Sequence, residues 1–381
     1  MNRKTFFQKL LWSSGFFLGL PALISGSPRA KKGSFQEAKW DGYEPQISKS
    51  PWGQKVFYDQ YTYSDLQKAL WRLEGNSWDE IAILAEDLQQ KFESGELSKR
   101  KGPVKLAENL WLIDTDGQQN IYLLRSDAGL ILVDPGYDST TSIVIEQLKM
   151  LGFKEGDVGY VLLTHCHVDH AQSAAWWQKK GAEILIHESG VNPIKTGNEI
   201  TAWWLMDREE ERNFPAVREV TSFFDGDVLV FGQHRIFVCH SPGHTPDSCC
   251  FYLQLENKHV LISGDTIFHN GKHGWMGHPY SDYEIYLKSL WKLKNFAVEG
   301  RVHNEQDRIM VRTPIQFDML LPGHTAISMD QVSRDLDKGI EIMSYTIQQR
   351  KKGIDYQWTE PYTFFAEREV KKEGPISIEY R

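Results

Sequence analysis

Residues 165–170, His-Cys-His-Val-Asp-His, follow directly on the apolar run Tyr160-Val161-Leu162-Leu163-Thr164. Such a run reads as a strand whose side chains stay buried until it ends. The polar stretch after it belongs on a loop at the strand's C-terminal edge, and loops on a rigid edge are where chemistry concentrates. Four of the six side chains, His165, His167, Asp169 and His170, are imidazoles or a carboxylate. Zn²⁺ takes such nitrogens and oxygens at about 2.0–2.2 Å, and one short turn aims them at either of two neighbouring ions. A lone histidine here would read as a satisfied core residue or a solvated loop; four ligand types in six residues do not.

Three more ligand candidates stand where an apolar run stops. His244 follows Ser241-Pro242-Gly243, Asp265 follows Leu261-Ile262-Ser263-Gly264, and His324 follows Leu321-Pro322-Gly323. Taken singly each reads as a turn residue; joined to the six-residue loop they read as a site.

The elements between them alternate. From Asn109 a meander is expected, with strands at Leu110–Ile113, Asn120–Leu124 and Leu130–Val133 and turns at Asp116-Gly117 and Asp127–Gly129. Ser139 is placed to cap a helix over Thr140–Leu151, closed by Gly152. The strand Val158–Thr164, a short helix near Ala171–Lys179 and the strand Ala182–His187 follow. Glu188–Val220 reads as an insertion over the site. Val228–Phe231, Arg235–Cys239, Ser248–Leu253 and His259–Ser263 begin a second sheet. Ser281-Asp282-Tyr283-Glu284 reads as a capping box for a helix to Phe296. A strand at Met319–Leu321 and a helix over Asp330–Gln349 complete the pattern.

The chain's 381 residues, 41% of them hydrophobic, suffice for one large core or two smaller ones. A formal net charge of −8 leaves no basic surplus to displace counterions, so nucleic acid is not an expected partner. Arg3, Lys4 and Lys9 precede the mostly apolar Leu10–Ile24, and small residues follow at Ser25, Gly26 and Ser27. Residues 1–27 therefore read as an export signal, with the apolar Leu10–Ile24 short for a transmembrane helix and no stable membrane insertion expected after cleavage. Arg3-Lys4-Thr5-Phe6-Phe7 resembles a twin-arginine signal with Lys for the second Arg, so a periplasmic or extracellular location is expected. Four cysteines are too few for a disulfide scaffold. Cys239 and the Cys249-Cys250 pair fall on segments read as neighbouring strands, which leaves one disulfide open. Residues 28–103 read as an N-terminal helical extension, with helical spacing over Ser64–Leu97 and Trp71 and Trp78 expected to be buried. Residues 104–345 form the main domain, and residues 346–381 a C-terminal tail packing on it.

With His165-X-His167-X-Asp169-His170, Gly243-His244, Gly264-Asp265 and Gly323-His324 in order, and Asp134 ending an early strand, the chain resembles the metallo-β-lactamase-fold hydrolase superfamily over roughly residues 104–345. The resemblance implies an α/β (α+β) fold, a four-layer αββα sandwich of two mixed sheets. It also implies two Zn²⁺ per chain: His165, His167 and His244 on one, Asp169, His170 and His324 on the other, Asp265 bridging. Asp134 would orient a ligand histidine. Independently of any family, two cations sharing a water lower its pKa to near neutrality and polarise a carbonyl or phosphoryl oxygen. Asp169 is the candidate to take the water's proton. Cys166, between two ligands on an extended segment, is expected to point into packing.

The resemblance also discriminates. True β-lactamases of the superfamily usually carry Cys or Ser where this chain has Asp265, so the implied substrate is an ester, lactone, thioester or related small molecule. Glyoxalase II-like members share Gly264-Asp265-Thr266, and lactonases tend to carry a Tyr where Phe268 stands here. The alternatives are a metallo-β-lactamase acting on β-lactam amides, or a non-catalytic metal-binding member. A flavin-linked redox member is disfavoured, since no flavin domain is evident. Asn270 and Tyr280, in a His-rich stretch with His269, His273, His278 and His303, are the candidate substrate contacts. Nothing in the sequence opposes a homo-oligomer.

Overall fold

The expected meander forms, and it founds the first of two sheets. The structure is a computed structural model that describes residues 23–25, 40–45, 47–49, 53–57, 102–113, 119–206, 212–298, 300–303, 308–311, 314–324 and 326–353. Three short strands come first: β1 (Leu23–Ser25), β2 (Ser48–Lys49) and β3 (Lys55–Phe57). Next are β4 (Val104–Ala107), β5 (Leu110–Ile113), β6 (Ile121–Ser126), β7 (Gly129–Val133), helix α1 (Thr141–Met150) and β8 (Val158–Leu162). Helices α2 (Val168–Ala171) and α3 (Ala174–Lys179), strand β9 (Glu183–His187), helix α4 (Glu188–Thr196) and β10 (Thr221–Phe223) follow. Strands β4 to β7 pair antiparallel and β7 to β10 parallel, giving a seven-stranded mixed sheet.

The second half of the chain supplies β11 (Val228–Phe231), β12 (His234–His240), β13 (Cys249–Leu255), β14 (Lys258–Gly264) and helix α5 (Tyr283–Lys294). A hairpin of β15 (Gly300–His303) and β16 (Arg308–Val311) precedes β17 (Met319–Pro322), β18 (Ile327–Ser328) and helix α6 (Val332–Lys351). The second sheet runs β1-β11-β12-β13-β14-β17-β18-β3-β2, antiparallel from β11 to β14 and parallel between β14 and β17.

Burial follows from strand periodicity. Leu110, Leu112, Tyr122, Leu124, Ile131 and Val133 face Phe231, Ile236, Val238, Phe251, Leu253 and Ile262 in one core between the sheets. The alternate residues Trp111, Leu123, Leu132 and Ile184 pack under α1, α3 and α4, with Trp177 wholly buried. Tyr252, Leu261 and Leu320 pack under α5 and α6. Helix, sheet, sheet, helix is the expected αββα sandwich, and each full side chain buried in it contributes about 1.5–3 kcal/mol.

Several expectations are corrected. Thr140, not Ser139, precedes α1, after a 3-10 turn at Asp138–Thr140, and no side chain caps it. The single helix expected at Ala171–Lys179 is two, α2 and α3. Asp282 caps α5 by accepting the Ile285 N–H at 2.9 Å, so the capping box at Ser281 does not form. All four cysteines are free and buried, although Cys239 and Cys250 are register partners. Cys250 Sγ is engaged instead by Ser241 Oγ at 3.3 Å and the Ser263 carbonyl at 3.6 Å. The turn at Asp116-Gly117, the helices of Ser64–Leu97 with Trp71 and Trp78, the tail beyond residue 353 and the export signal apart from β1 lie outside the described residues.

Candidate metal centre

Strand ends of both sheets deliver the candidate ligands to one edge. Asp134 leaves β7, the ligand loop leaves β8, His244 sits between β12 and β13, Asp265 follows β14 and His324 follows β17. Backbone bonds lock the sheets together there: Cys249 N–H donates to Thr164 O at 2.9 Å, and Asn120 N–H to Gly323 O at 2.7 Å. Tyr122 Oη and Asn120 Nδ2 both donate to Pro322 O, at 2.6 and 3.0 Å. The edge is tight enough to demand glycine: a Cβ on Gly323 would stand 2.5 Å from Asp265 Oδ1 and from His170 Cε1.

All seven expected ligands converge. Their donor atoms form three overlapping groups, His165/His167/His244, His165/His170/Asp265 and Asp169/His170/His324, each within 4.8 Å. Asp265 lies between them, Oδ2 at 3.5 Å from His244 Nε2 and Oδ1 at 3.3 Å from His170 Nε2 and 3.7 Å from His324 Nε2. Asp169 Oδ2 is 3.0 Å from His324 Nε2 and 3.5 Å from His170 Nε2. His165, His167, His170, His244 and Asp265 are buried. The side chains of Asp169 and His324 keep 21% and 19% exposure, so the site opens on their side.

The neighbours of the ligands fix their protons. Asp134 accepts from Thr164 N–H at 2.8 Å on Oδ1 and from Thr164 Oγ1 at 2.6 Å on Oδ2. The Thr164 hydroxyl, its proton spent, accepts His165 Nδ1–H at 3.1 Å and leaves His165 Nε2 bare. Asp134 Oδ2 also takes His170 Nδ1–H at 2.9 Å. The Trp275 carbonyl takes His244 Nδ1–H at 2.8 Å, leaving Nε2 bare. His165 Nε2, His170 Nε2 and Asp265 Oδ1 are buried with no hydrogen-bond partner, a costly arrangement unless a cation occupies the space between them. The donor set therefore fits metal, and its mix of imidazole nitrogen and carboxylate oxygen suits Zn²⁺.

Electrostatics divide the site. Burial, then the crowding of imidazoles, holds the pKa of His165 and His167 well below the ordinary value, and burial lowers that of His244. These three are neutral lone-pair donors. Burial acts in the same sense on His170, but Asp169, Asp265 and Asp134 overcome it and raise its pKa well above the usual range. Burial also opposes ionisation of Asp169, but His170 and His324 overcome it and keep it a carboxylate.

Of the two candidate substrate contacts, the structure brings Tyr280 into the cluster, its hydroxyl 2.9 Å from His167 Nε2. Asn270 is tied to α6 by its backbone N–H, which donates to Asp335 Oδ1 at 2.7 Å, with φ at 60°. His269 Nδ1 lies 3.0 Å from Ser328 Oγ, and His273 donates to the Gly274 carbonyl. His278 is buried against His167, ring centroids 4.8 Å apart; the side chain of His303 lies outside the described residues. Cys166 is buried in the helix-side core as expected, its thiol donating to Asp247 Oδ1 at 3.4 Å. Sequence reading missed Thr164, Ser281, whose hydroxyl donates to His244 O at 2.9 Å, and the Trp275 carbonyl. Only Thr164, adjacent to the loop, offered a signal.

An αββα sandwich whose paired sheet edges present split His and Asp donors defines a metal-dependent hydrolase. The chain belongs to the metallo-beta-lactamase superfamily, whose profile matches residues 114–309. Acyl-coenzyme A thioesterase MBLAC2 of Gallus gallus is 25% identical over 229 residues, covering 55% of this chain and 74% of that protein. A probable metallo-hydrolase of Methanocaldococcus jannaschii is 29% identical over 210 residues, 55% of this chain and 88% of the relative. A probable hydroxyacylglutathione hydrolase of Schizosaccharomyces pombe is 26% identical over 166 residues, 42% of this chain and 53% of the relative. Among solved structures, the subclass B3 metallo-beta-lactamase BJP-1 of Bradyrhizobium japonicum superposes with a TM-score of 0.51 at 19% identity, covering 66% of this chain and 94% of that one. At that identity the likeness speaks for the fold alone.

Proposed function

We propose that this chain is an exported dinuclear zinc hydrolase that cleaves a thioester, ester or lactone bond of a small molecule. The observation that carries the reading is Asp265, whose two oxygens face different ligand groups. Two Zn²⁺ held by His165/His167/His244 and Asp169/His170/His324 would supply Lewis acidity to an attacking water and to the substrate's acyl oxygen. Asp169, partly exposed at the mouth, accepts the water's proton on its carboxylate and returns it to the leaving group. Asp134 holds His170, and Thr164 and Trp275 hold His165 and His244, so the donors are pre-aimed. Trp204, 41% exposed, stands edge to face with His278, which packs on His167, so its indole offers an apolar surface for an acyl chain beside the cluster.

The thioester reading also draws on relatives named as thioesterases and on Gly264-Asp265-Thr266. Export rests on the composition of residues 1–27, although Leu23–Ser25 pair with β11 in the structure, and is tested by cell fractionation with the N-terminal mass; cytoplasmic protein that keeps residues 1–27 removes it. For activity, zinc-loaded protein is assayed against acyl-coenzyme A, S-acylglutathione, lactone, β-lactam and phosphodiester substrates with His167→Ala as blank. Hydrolysis of a thioester, ester or lactone, lost in the blank, is expected. Turnover of the β-lactam alone would move the chain to the alternative class. Full zinc occupancy with no turnover would make it a non-catalytic member.

A further inference from the structure

Tyr280 reaches from the loop after Asp265 to the ligand loop. Its hydroxyl lies 2.9 Å from His167 Nε2 and 3.1 Å from the Ile200 carbonyl. A phenol has one proton to give, and a carbonyl only accepts. The proton therefore goes to Ile200 O, and the phenol oxygen accepts from His167 Nε2–H. Neutral His167 then has its bare nitrogen at Nδ1, 2.9 Å from His244 Nε2, which the Trp275 carbonyl has already left bare. Two lone pairs face each other beside the unpartnered His165 Nε2, an arrangement that a shared cation would relieve.

The surroundings make this a built contact. His278 stacks on the Tyr280 ring at 4.8 Å and 9° and packs on His167 at 4.8 Å, holding the phenol in place. Ile200 lies in the 3-10 turn Glu199–Thr201, where Asn198 Oδ1 accepts the Ile200 N–H at 3.0 Å. That turn belongs to the insertion between β9 and β10.

We propose that Tyr280 is a positioning residue that selects the His167 tautomer with Nδ1 bare and couples this ligand to the insertion carrying Ile200. The inference rests on His165, His167 and His244 being one metal site. Where the sequence suggested a substrate contact, the hydroxyl has both its donor and one acceptor role occupied within the protein.

The test compares wild type, Tyr280→Phe and Tyr280→Ala as full chains. Zinc affinity is measured by chelator competition, the cobalt-loaded protein by absorption spectroscopy, and KM and kcat on the substrate found above. Tyr280→Phe keeps the ring stacked on His278 and removes only the hydroxyl. It should weaken one of two ions by about 10–100-fold and alter the cobalt spectrum. Its kcat deficit should be restored by excess zinc, with KM and metal-free Tm unchanged. Wild-type affinity and spectrum in Tyr280→Phe would overturn the proposal, as would a raised KM with both ions intact, which would mark a substrate contact. A metal-free Tm lowered as far in Tyr280→Phe as in Tyr280→Ala would mark a packing role and overturn it too. Failure of the parent reading is separate: wild type itself would bind no zinc.

Discussion

Asp134 accepts three hydrogen bonds in a space where an amide cannot. In Asp134→Asn, an NH2 turned toward Thr164 Oγ1 and His170 would meet the His170 Nδ1–H that Oδ2 now accepts at 2.9 Å. Flipped, the NH2 would meet the Thr164 N–H that Oδ1 accepts at 2.8 Å. Either way one buried donor is unmatched, at about 1–3 kcal/mol, or His170 switches tautomer and turns a proton toward Asp265 and the other donors. If the cluster holds zinc as proposed, Asp134→Asn should therefore lower the zinc affinity by about 10–100-fold, and it should lower the metal-free Tm. Chelator competition and a melting curve check both; wild-type values for both would sink the argument. Asp134 is itself left-handed, with φ at 49°, a conformation Asp tolerates better than most residues. The converging His and Asp side chains were legible because candidate metal donors are side chains whose spacing the sequence prints. The Trp275 and Ile200 carbonyls were not, because every residue carries one.

Elements with a period were read closely, and those set by tertiary pairing were not. Strand β11 falls on the expected residues, while α6 begins two residues later than the expected Asp330 and runs to Lys351. The three-residue β3 has no period to detect, yet it pairs with β18, Phe57 opposite Ile327 and Val56 opposite Ser328, just past His324. Gln54, wholly buried, donates from Nε2 to Asp335 Oδ2 at 2.9 Å and to Asp330 O at 3.0 Å, binding this strand to the start of α6. Gln54→Ala removes those donors and leaves buried acceptors short, which should cost about 1–3 kcal/mol. The Ile327 and Ser328 amides should then exchange faster with solvent, and His324 should be held less firmly. Unchanged Tm and unchanged exchange at β18 would show that the clasp contributes nothing.

At the scale of the whole molecule, the α/β alternation and the tightly spaced strands of a second sheet were legible in the pattern of elements, while the αββα layering was what the family resemblance implied. The parallel crossover from β14 to β17 was not legible, since the connection spans α5 and the β15–β16 hairpin without a local signal. Packing polar groups into this frame gives it a pH dependence. Burial lowers the pKa of His187 and His273 to about 4 and of His269 and His278 to about 3. Each is neutral when folded and charged when unfolded below the ordinary 6.5, so stability present above pH 6.5 is lost as pH falls toward those values. Burial raises Asp247 and Asp335 to about 6; their contribution is present below the usual 3.8 and lost as pH rises through about 6, the opposite sense. Four histidines against two acids leave unfolding with a net uptake of protons near pH 5, each worth about 1.4 kcal/mol per pH unit. In the metal-free protein the lowered pKa values of His165, His167 and His244 act with the four, and the raised ones of His170 and His324 against them. Urea unfolding of metal-free protein at pH 7, 6 and 5 should give a falling midpoint. A midpoint that holds or rises on acidification would mean that these buried histidines are already charged in the folded chain, and that the polar frame around the site is built differently from the neutral one described above.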